Sequence, residues 1–318
     1  MKNIFRGMIA VLLVAAGIFF ENGVAQADAY EDIQKYTAQI NQNPNDYNAY
    51  NYRGVAYYCL GQYERAIQDF NKAIELNPNL EYPYNNRGIA YNDLGQYERA
   101  IQDFNKAIEL NLNLEYPYNN RGIAYNDLGQ KEQAIKDYNK AIELNPNYAE
   151  AYNNRGIAYN DLGQYERAIK DYDKAIELNP NYADSYYNRG FVYNKLGQNE
   201  RAIQDYTKAI QLNLNYAATY NNRGLSYDDL GQYERAIQDF NKAIELNPNL
   251  EYPYNNRGYV YYKLGQYEKA VLDYSKAIQL NSNFSVAYHN RGVAYQKLGN
   301  MTSANADFAR AKELGYNG

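Results

Sequence analysis

The chain has 318 residues, a formal net charge of −5, 46% apolar residues and a mean hydropathy of −0.77. That balance describes a folded protein with a water-compatible surface, and the length fits two domains of ordinary size. A single Cys (Cys59) excludes an internal disulfide framework, a single His (His289) argues against histidine metal sites and a Ser-His-Asp triad, and the mild acidity leaves no electrostatic footprint for nucleic acid.

In chain order, the first feature is an address. Lys2 and Arg6 precede an apolar run from Met8 to Phe20. Glu21, Asn22 and Gly23 break the run, and Ala25-Gln26-Ala27 follows, with Ala27-Asp28-Ala29 as a second option. A basic start, a short apolar stretch and an A-x-A signal read as a secretory signal peptide over residues 1–27. The apolar run falls short of the ~20 residues that a membrane span needs. The expectation is an exported protein, periplasmic or extracellular in a bacterium, beginning at Asp28 or Tyr30. An uncleaved membrane anchor is the alternative, and membrane contact is expected only through export or that anchor.

From residue 47 onward one unit recurs. Arg-Gly stands at Arg53-Gly54 and again at Arg87, Arg121, Arg155, Arg189, Arg223, Arg257 and Arg291, always 34 residues apart. With Tyr47 as position 1, eight units run 47–80, 81–114, 115–148, 149–182, 183–216, 217–250, 251–284 and 285–318. Such a period signals a solenoid. Each unit predicts two helices. Tyr84, Gly88 and Tyr91 share one face of the first, and Gly95 stops it. Ala100, Ile101, Phe104, Ala107 and Ile108 form the stripe of the second. Asn-Pro-Asn, as at Asn77-Pro78-Asn79, then turns the chain. A mid-helix Gly costs roughly 1 kcal/mol against Ala. Its return in every copy predicts a partner helix too close for a Cβ.

The pattern Y-x2-R-G-x2-Y…A-x3-F…A…P resembles the tetratricopeptide repeat, with Tyr where that family has Trp and Arg where it has Leu. The resemblance covers residues 47–318. It implies an all-α, right-handed superhelical solenoid of antiparallel helix pairs, whose first helices line a concave groove that binds peptides or proteins. Residues 28–46 fit the frame as a half-repeat, a lone second helix capping the stack. At the other end, Asn305 and Lys312 replace the apolar residues of positions 21 and 28. Polar residues there suit a terminal cap, so the array is expected to close at that point.

Arg at position 7 and Asp at position 23 (Asp69, Asp103, Asp137, Asp171, Asp205, Asp239, Asp273, Asp307) occur in all eight units. The pair is expected to tie helices together, within or between units. The candidate binding face carries positions 2, 6, 9 and 13 of the first helix. Position 6 is Asn86, Asn120, Asn154, Asn188, Asn222, Asn256 and Asn290, with Tyr52 in the first unit. A carboxamide column offers donors and acceptors to a peptide backbone. It resembles the asparagine ladder in the repeat region of O-linked N-acetylglucosamine transferases, without their catalytic domain. The equal alternative is that these Asn side chains are solvated or bond between helices. Position 2 adds Tyr82, Tyr116 and Tyr252. Position 13 reads Cys59, Asp93, Asp127, Asp161, Lys195, Asp229, Lys263 and Lys297, which predicts a face acidic toward the N-terminus and more basic toward the C-terminus. Apolar position 9 does not support a carboxylate clamp. Cys59 reads as a tolerated small residue, and His289 as a surface variant.

These features point to a non-enzymatic scaffold for a protein or extended peptide, without cofactor or metal. A catalytic site needs an asymmetric constellation, whereas nearly every polar residue here is copied in frame. The alternative is a self-assembling structural protein of the cell envelope.

Overall fold

A computed structural model describes residues 24–212 and 216–317. The described residues form seventeen α-helices and no strand. Residues 1–23 of the expected export signal lie outside them. Two compact bodies divide the chain after Gly163. The first holds α1 (Val24–Gln42), α2 (Tyr47–Cys59), α3 (Tyr63–Leu76), α4 (Glu81–Asp93), α5 (Tyr97–Leu110), α6 (Glu115–Asp127), α7 (Lys131–Leu144) and α8 (Ala149–Asp161). The second holds α9 (Tyr165–Leu178), α10 (Ala183–Lys195), α11 (Asn199–Gln211), α12 (Ala217–Asp229), α13 (Tyr233–Leu246), α14 (Glu251–Lys263), α15 (Tyr267–Leu280), α16 (Ser285–Lys297) and α17 (Met301–Glu313). Each helix packs on its neighbour in sequence within its body. The architecture is an all-α solenoid of helix pairs, as the period predicts.

The expected glycine contact is present. A Cβ on Gly88 would lie 2.7 Å from the Phe104 ring. The ring at position 24 therefore seats directly on the backbone of the first helix, fully buried in Phe70, Phe104, Tyr138, Tyr206, Phe240 and Tyr274. Burying one such ring contributes roughly 3 kcal/mol. Small side chains complete the contact, with Ala at positions 20 and 27 shut from solvent in every pair.

The first helix ends as the sequence predicts. Gly95 takes φ +74°. Its N–H donates to the Asn92 carbonyl at 2.9 Å, and the Gln96 N–H donates to the Tyr91 carbonyl at 2.8 Å. That left-handed cap satisfies carbonyls that the helix leaves open. The second turn owes less to proline than the sequence suggests. The Asn79 N–H donates to Asn77 Oδ1 at 3.2 Å, and the Asn113 N–H donates to Asn111 Oδ1 at the same distance, although Leu112 replaces the proline. The Asx turn sets the corner, and Pro only stiffens it.

The helix pairs are clamped by the arginines. Arg87 donates from Nε and Nη2 to both oxygens of Asp103, and from Nη1 to Asn71 of the preceding pair. The same two-way clamp holds at Arg53, Arg121, Arg189, Arg223, Arg257 and Arg291. At Arg53 the third acceptor is Thr37 of α1. The half-repeat therefore sits in the frame of a second helix. It begins earlier than expected, since α1 starts at Val24 and runs through the Ala27–Asp28 bond in the uncut chain.

Candidate functional site: the first-helix face

The position-6 carboxamides form a wired row. In the first body, Asn154 donates to Asn119 (3.1 Å), Asn119 to Asn120 (3.5 Å), Asn120 to Asn85 (3.0 Å), Asn85 to Asn86 (3.5 Å) and Asn86 to Asn51 (3.1 Å). In the second, Asn290 donates to Asn255 (3.2 Å), Asn255 to Asn256 (3.3 Å), Asn256 to Asn221 (2.9 Å), Asn221 to Asn222 (3.2 Å) and Asn222 to the Tyr187 hydroxyl (3.0 Å). Every bond between units is donated toward the N-terminus, and the short bonds from position 5 to position 6 link them head to tail, so the amide dipoles polarise one another. The first row stops at Asn51, whose Nδ2 is buried without a partner, because Tyr52 stands where the next carboxamide would accept.

The bonding between helices weighed from the sequence thus occupies part of these side chains. Asn86 is 5% exposed, while Asn120, Asn154, Asn188, Asn222, Asn256 and Asn290 are half-buried. A carboxamide carries two N–H donors and two acceptor sites. The row uses one donor and one acceptor site of Asn120, Asn256 and their like. Position 5, whose Asn residues supply the other half of the row, was missed from the sequence. The signal was present as Asn51, Asn85, Asn119, Asn153, Asn221 and Asn255.

The three position-2 tyrosines differ. Tyr82 donates to Asn48 Oδ1 at 2.6 Å, and burial pushes its hydroxyl up to about 12. Tyr116 is buried, and burial raises its hydroxyl further. Tyr252 is exposed beside Phe284, ring centroids 5.3 Å apart.

The position-13 charges are mostly matched by neighbouring units, which blunts the expected gradient. Asp93 accepts from the Tyr58 hydroxyl, whose pKa burial and Asp93 both raise. Asp161 pairs with Lys131 at 2.7 Å. Lys195 lies over the Phe191 and Tyr165 rings, 4.8 and 5.6 Å from their centroids. Burial raises the Asp229 carboxyl, with Asp228 adding to it, while Asn194 and Asn199 oppose the shift. Lys263 pairs with Asp228 at 2.9 Å. Asp127 also has an interaction partner, and Lys297 is exposed. These partners come largely from positions 12 and 17 of the preceding unit, where Lys131 and Asn199 replace Tyr. Cys59 is half-buried, and burial raises its thiol. His289 is no surface variant. It stacks on Tyr316 at 4.2 Å and touches the Phe308 ring at 5.6 Å, because the chain after α17 folds back over it, and burial lowers its pKa.

Among the described residues, no group of three or more His, Cys, Asp or Glu could hold a metal ion. No described helix is long and apolar enough to cross a membrane.

Family models agree with this geometry. Models described as Tetratricopeptide repeat match residues 47–80, 82–114, 183–216, 217–250, 240–271 and 285–314, and one described as TPR repeat matches 124–162, 158–197 and 258–299. The chain belongs to the tetratricopeptide repeat family. Among solved structures, this repeat protein is similar to a tetratricopeptide repeat protein from Parabacteroides merdae, with 22% identity, 78% of this chain and 98% of that one covered, and TM-score 0.58. It is similar to the APC/C hetero-tetramer Cut9–Hcn1, with 15% identity, 94% and 62% coverage and TM-score 0.62. MamA from Desulfovibrio magneticus RS-1, from residue 41 to its end, shares 25% identity over 54% of this chain and 96% of its own, with TM-score 0.50. The first two likenesses show the fold alone. Comparison with curated proteins gives no match. Repeats of this family bind protein or peptide partners, and the fold of this repeat protein is that of an interaction scaffold.

Proposed function

We propose that the protein is an exported, non-enzymatic scaffold that holds a protein or extended peptide against the first-helix face. One observation carries the reading. The position-6 carboxamides are fixed in a directional row by their neighbours, yet Asn120, Asn154, Asn222, Asn256 and Asn290 remain half-buried rather than shut away. Pre-fixed amides bind an extended backbone with little further loss of side-chain freedom. The in-frame copying of polar residues favours a repetitive grip over a single catalytic constellation. Export rests on Lys2, Arg6, the apolar run from Met8 to Phe20 and the A-x-A signal at Ala25-Gln26-Ala27.

The test is site-specific photocrosslinking in bacterial envelope extract. A crosslinker replaces exposed Asp161 or Lys195 on the first helices, or exposed Glu75 or Glu245 on the second. The expected result is capture of the same partner at Asp161 and Lys195 and none at Glu75 or Glu245. Equal capture at all four positions overturns the assignment of the face. N-terminal sequencing of the exported chain checks the address, with Asp28 or Tyr30 expected first and an intact Met1 counting against it.

A further inference from the structure

Exposed apolar side chains on the first-helix face gather in one place. Among the described residues, the large apolar side chains of positions 2 and 9 that are most open to solvent are Tyr252 (42%), Tyr259 (43%) and Val286 (39%), all on α14 and α16. Of their large apolar counterparts in the first body, Tyr116 (5%) and Ile89 (9%) are closed, and Val55, Tyr82, Ile123 and Ile157 are half-buried. The same repeat positions are therefore closed or half-buried in the first body, while α14 and α16 present open apolar side chains.

The open patch has further structure. Tyr252 and Tyr259 are seven residues apart, two helical turns or about 10 Å along one face. Phe284 supports Tyr252 edge-on. Asn256 lies between the two tyrosines on α14, and Asn290 is its counterpart on α16. Below Tyr259 the face turns basic. Lys263 rests over the Tyr259 ring at 4.5 Å while pairing with Asp228. Lys297 holds the same position on α16, is exposed, and has no ion-pair partner among the described residues.

We infer that the α14–α16 face binds an extended acidic peptide, placing an apolar side chain between Tyr252 and Tyr259 and a carboxylate on Lys297. This rests on the scaffold reading and narrows it to one end of the array and one ligand chemistry. Aromatic anchors are the side chains that dominate binding energy at protein interfaces. The unmatched Lys297 supplies the charge complementarity that selects acidic partners. The carboxamides of Asn256 and Asn290 favour a peptide over an anionic membrane surface, because a backbone can use paired donors and acceptors.

The experiment measures fluorescence anisotropy on the full chain with two labelled nine-residue pools. Both have a central Phe among Ala, Gly and Ser, one with Asp near the end and one with Lys. The Asp pool is expected to bind at least 10-fold more tightly. The Tyr252→Ser/Tyr259→Ser double variant should weaken it at least 10-fold with circular dichroism and melting temperature unchanged. Lys297→Glu should abolish the preference for Asp. Equal binding of both pools, or affinity unmoved by the tyrosine variant, overturns the inference. So does tyrosine-dependent binding to phosphatidylserine vesicles without peptide binding. Should photocrosslinking at Asp161 and Lys195 succeed and survive the tyrosine variant, this site fails while the scaffold reading stands. Equal capture on both helix types removes the scaffold reading instead.

Discussion

Arg87 holds Asp103 in a fork, with Nε 2.8 Å from one oxygen and Nη2 2.6 Å from the other. The side chains are 19% and 9% exposed, so this is neither a surface pair nor a fully dry one. Nη1 reaches Asn71 at 2.6 Å, which makes one guanidinium the tie between three helices. Tyr84 and Tyr91 flank it, 5.6 and 6.0 Å from its centre. The recurrence of Tyr at positions 4 and 11 thus has a physical use beside the apolar one. Lysine can carry the charge but cannot form the fork or reach the third acceptor. Arg87→Lys is expected to lower unfolding free energy by about 2 kcal/mol, and Arg87→Ala by about 3 kcal/mol because Asp103 is left buried alone. Urea unfolding of the purified chain checks both, and equal stability of Arg87→Lys and wild type would show the fork to be dispensable.

The glycines of position 8 give a graded prediction. A Cβ at Gly122 would meet the Tyr138 ring at 2.6 Å, whereas one at Gly190 would meet Tyr206 at 3.1 Å. Alanine is the better helix former by about 1 kcal/mol. At Gly122 the overpacking of about 1–3 kcal/mol outweighs that gain. At Gly190 a shift of a few tenths of an ångström relieves the contact, and the two effects nearly cancel. Gly122→Ala is therefore expected to melt below wild type and Gly190→Ala close to it. Melting curves with the order reversed would contradict the ring contact as the reason for glycine.

How far the sequence reaches follows from these same residues. The 34-residue beat, the glycine contact and the Arg–Asp tie are local or in-frame, so one copy read against the next reveals them. The third donor of Arg87 goes to position 25, which varies among Asn, Asp, Thr and Ser and is Ala309 in the last unit, and periodicity gives no hint of it. The position-6 column is visible as a pattern, but its acceptors at position 5 emerge only when adjacent units are placed together. Most of all, Tyr82, Tyr116 and Tyr252 share one position and one sequence context, Glu-Tyr-Pro-Tyr. Their exposure differs because the neighbouring units present different side chains at that position, Asn48 against Tyr82 among them. Burial between units is a property of pairs, and a repeat frame reports only averages.

Thr219 shows a local cost that the repeat can relieve. Its hydroxyl is fully buried and has no hydrogen-bond partner. The same position is Ala in Ala49, Ala151 and Ala287, so a hydroxyl is not required there. An unpaired buried hydroxyl costs about 1 kcal/mol or more. Valine keeps the shape of threonine and removes the polar atom. Thr219→Val is expected to raise unfolding free energy by about 1 kcal/mol, and a loss of stability in urea unfolding would mean that the hydroxyl finds a partner in solution.

Asp184, at position 2 of α10, gives a pH dependence with a definite sign. Burial raises its carboxyl to about 6, while an unfolded aspartate titrates near 3.9. The folded chain therefore binds this proton more tightly than the unfolded chain. Its contribution is complete below about pH 4 and is lost as pH rises through 6. Tyr187 and Tyr216 lie close enough for Asp184 to push their hydroxyls upward, so ionising the carboxylate also carries no relief from those neighbours. Asp184→Asn removes the titration and leaves the side chain's size. The variant should match wild type near pH 4 and exceed it by about 2 kcal/mol at pH 7. The measurement is the difference in urea-unfolding free energy between the two proteins across that range, since other carboxylates titrate in both and cancel. A difference that stays flat, or that shrinks as pH rises, would show Asp184 to be ionised in the folded chain throughout.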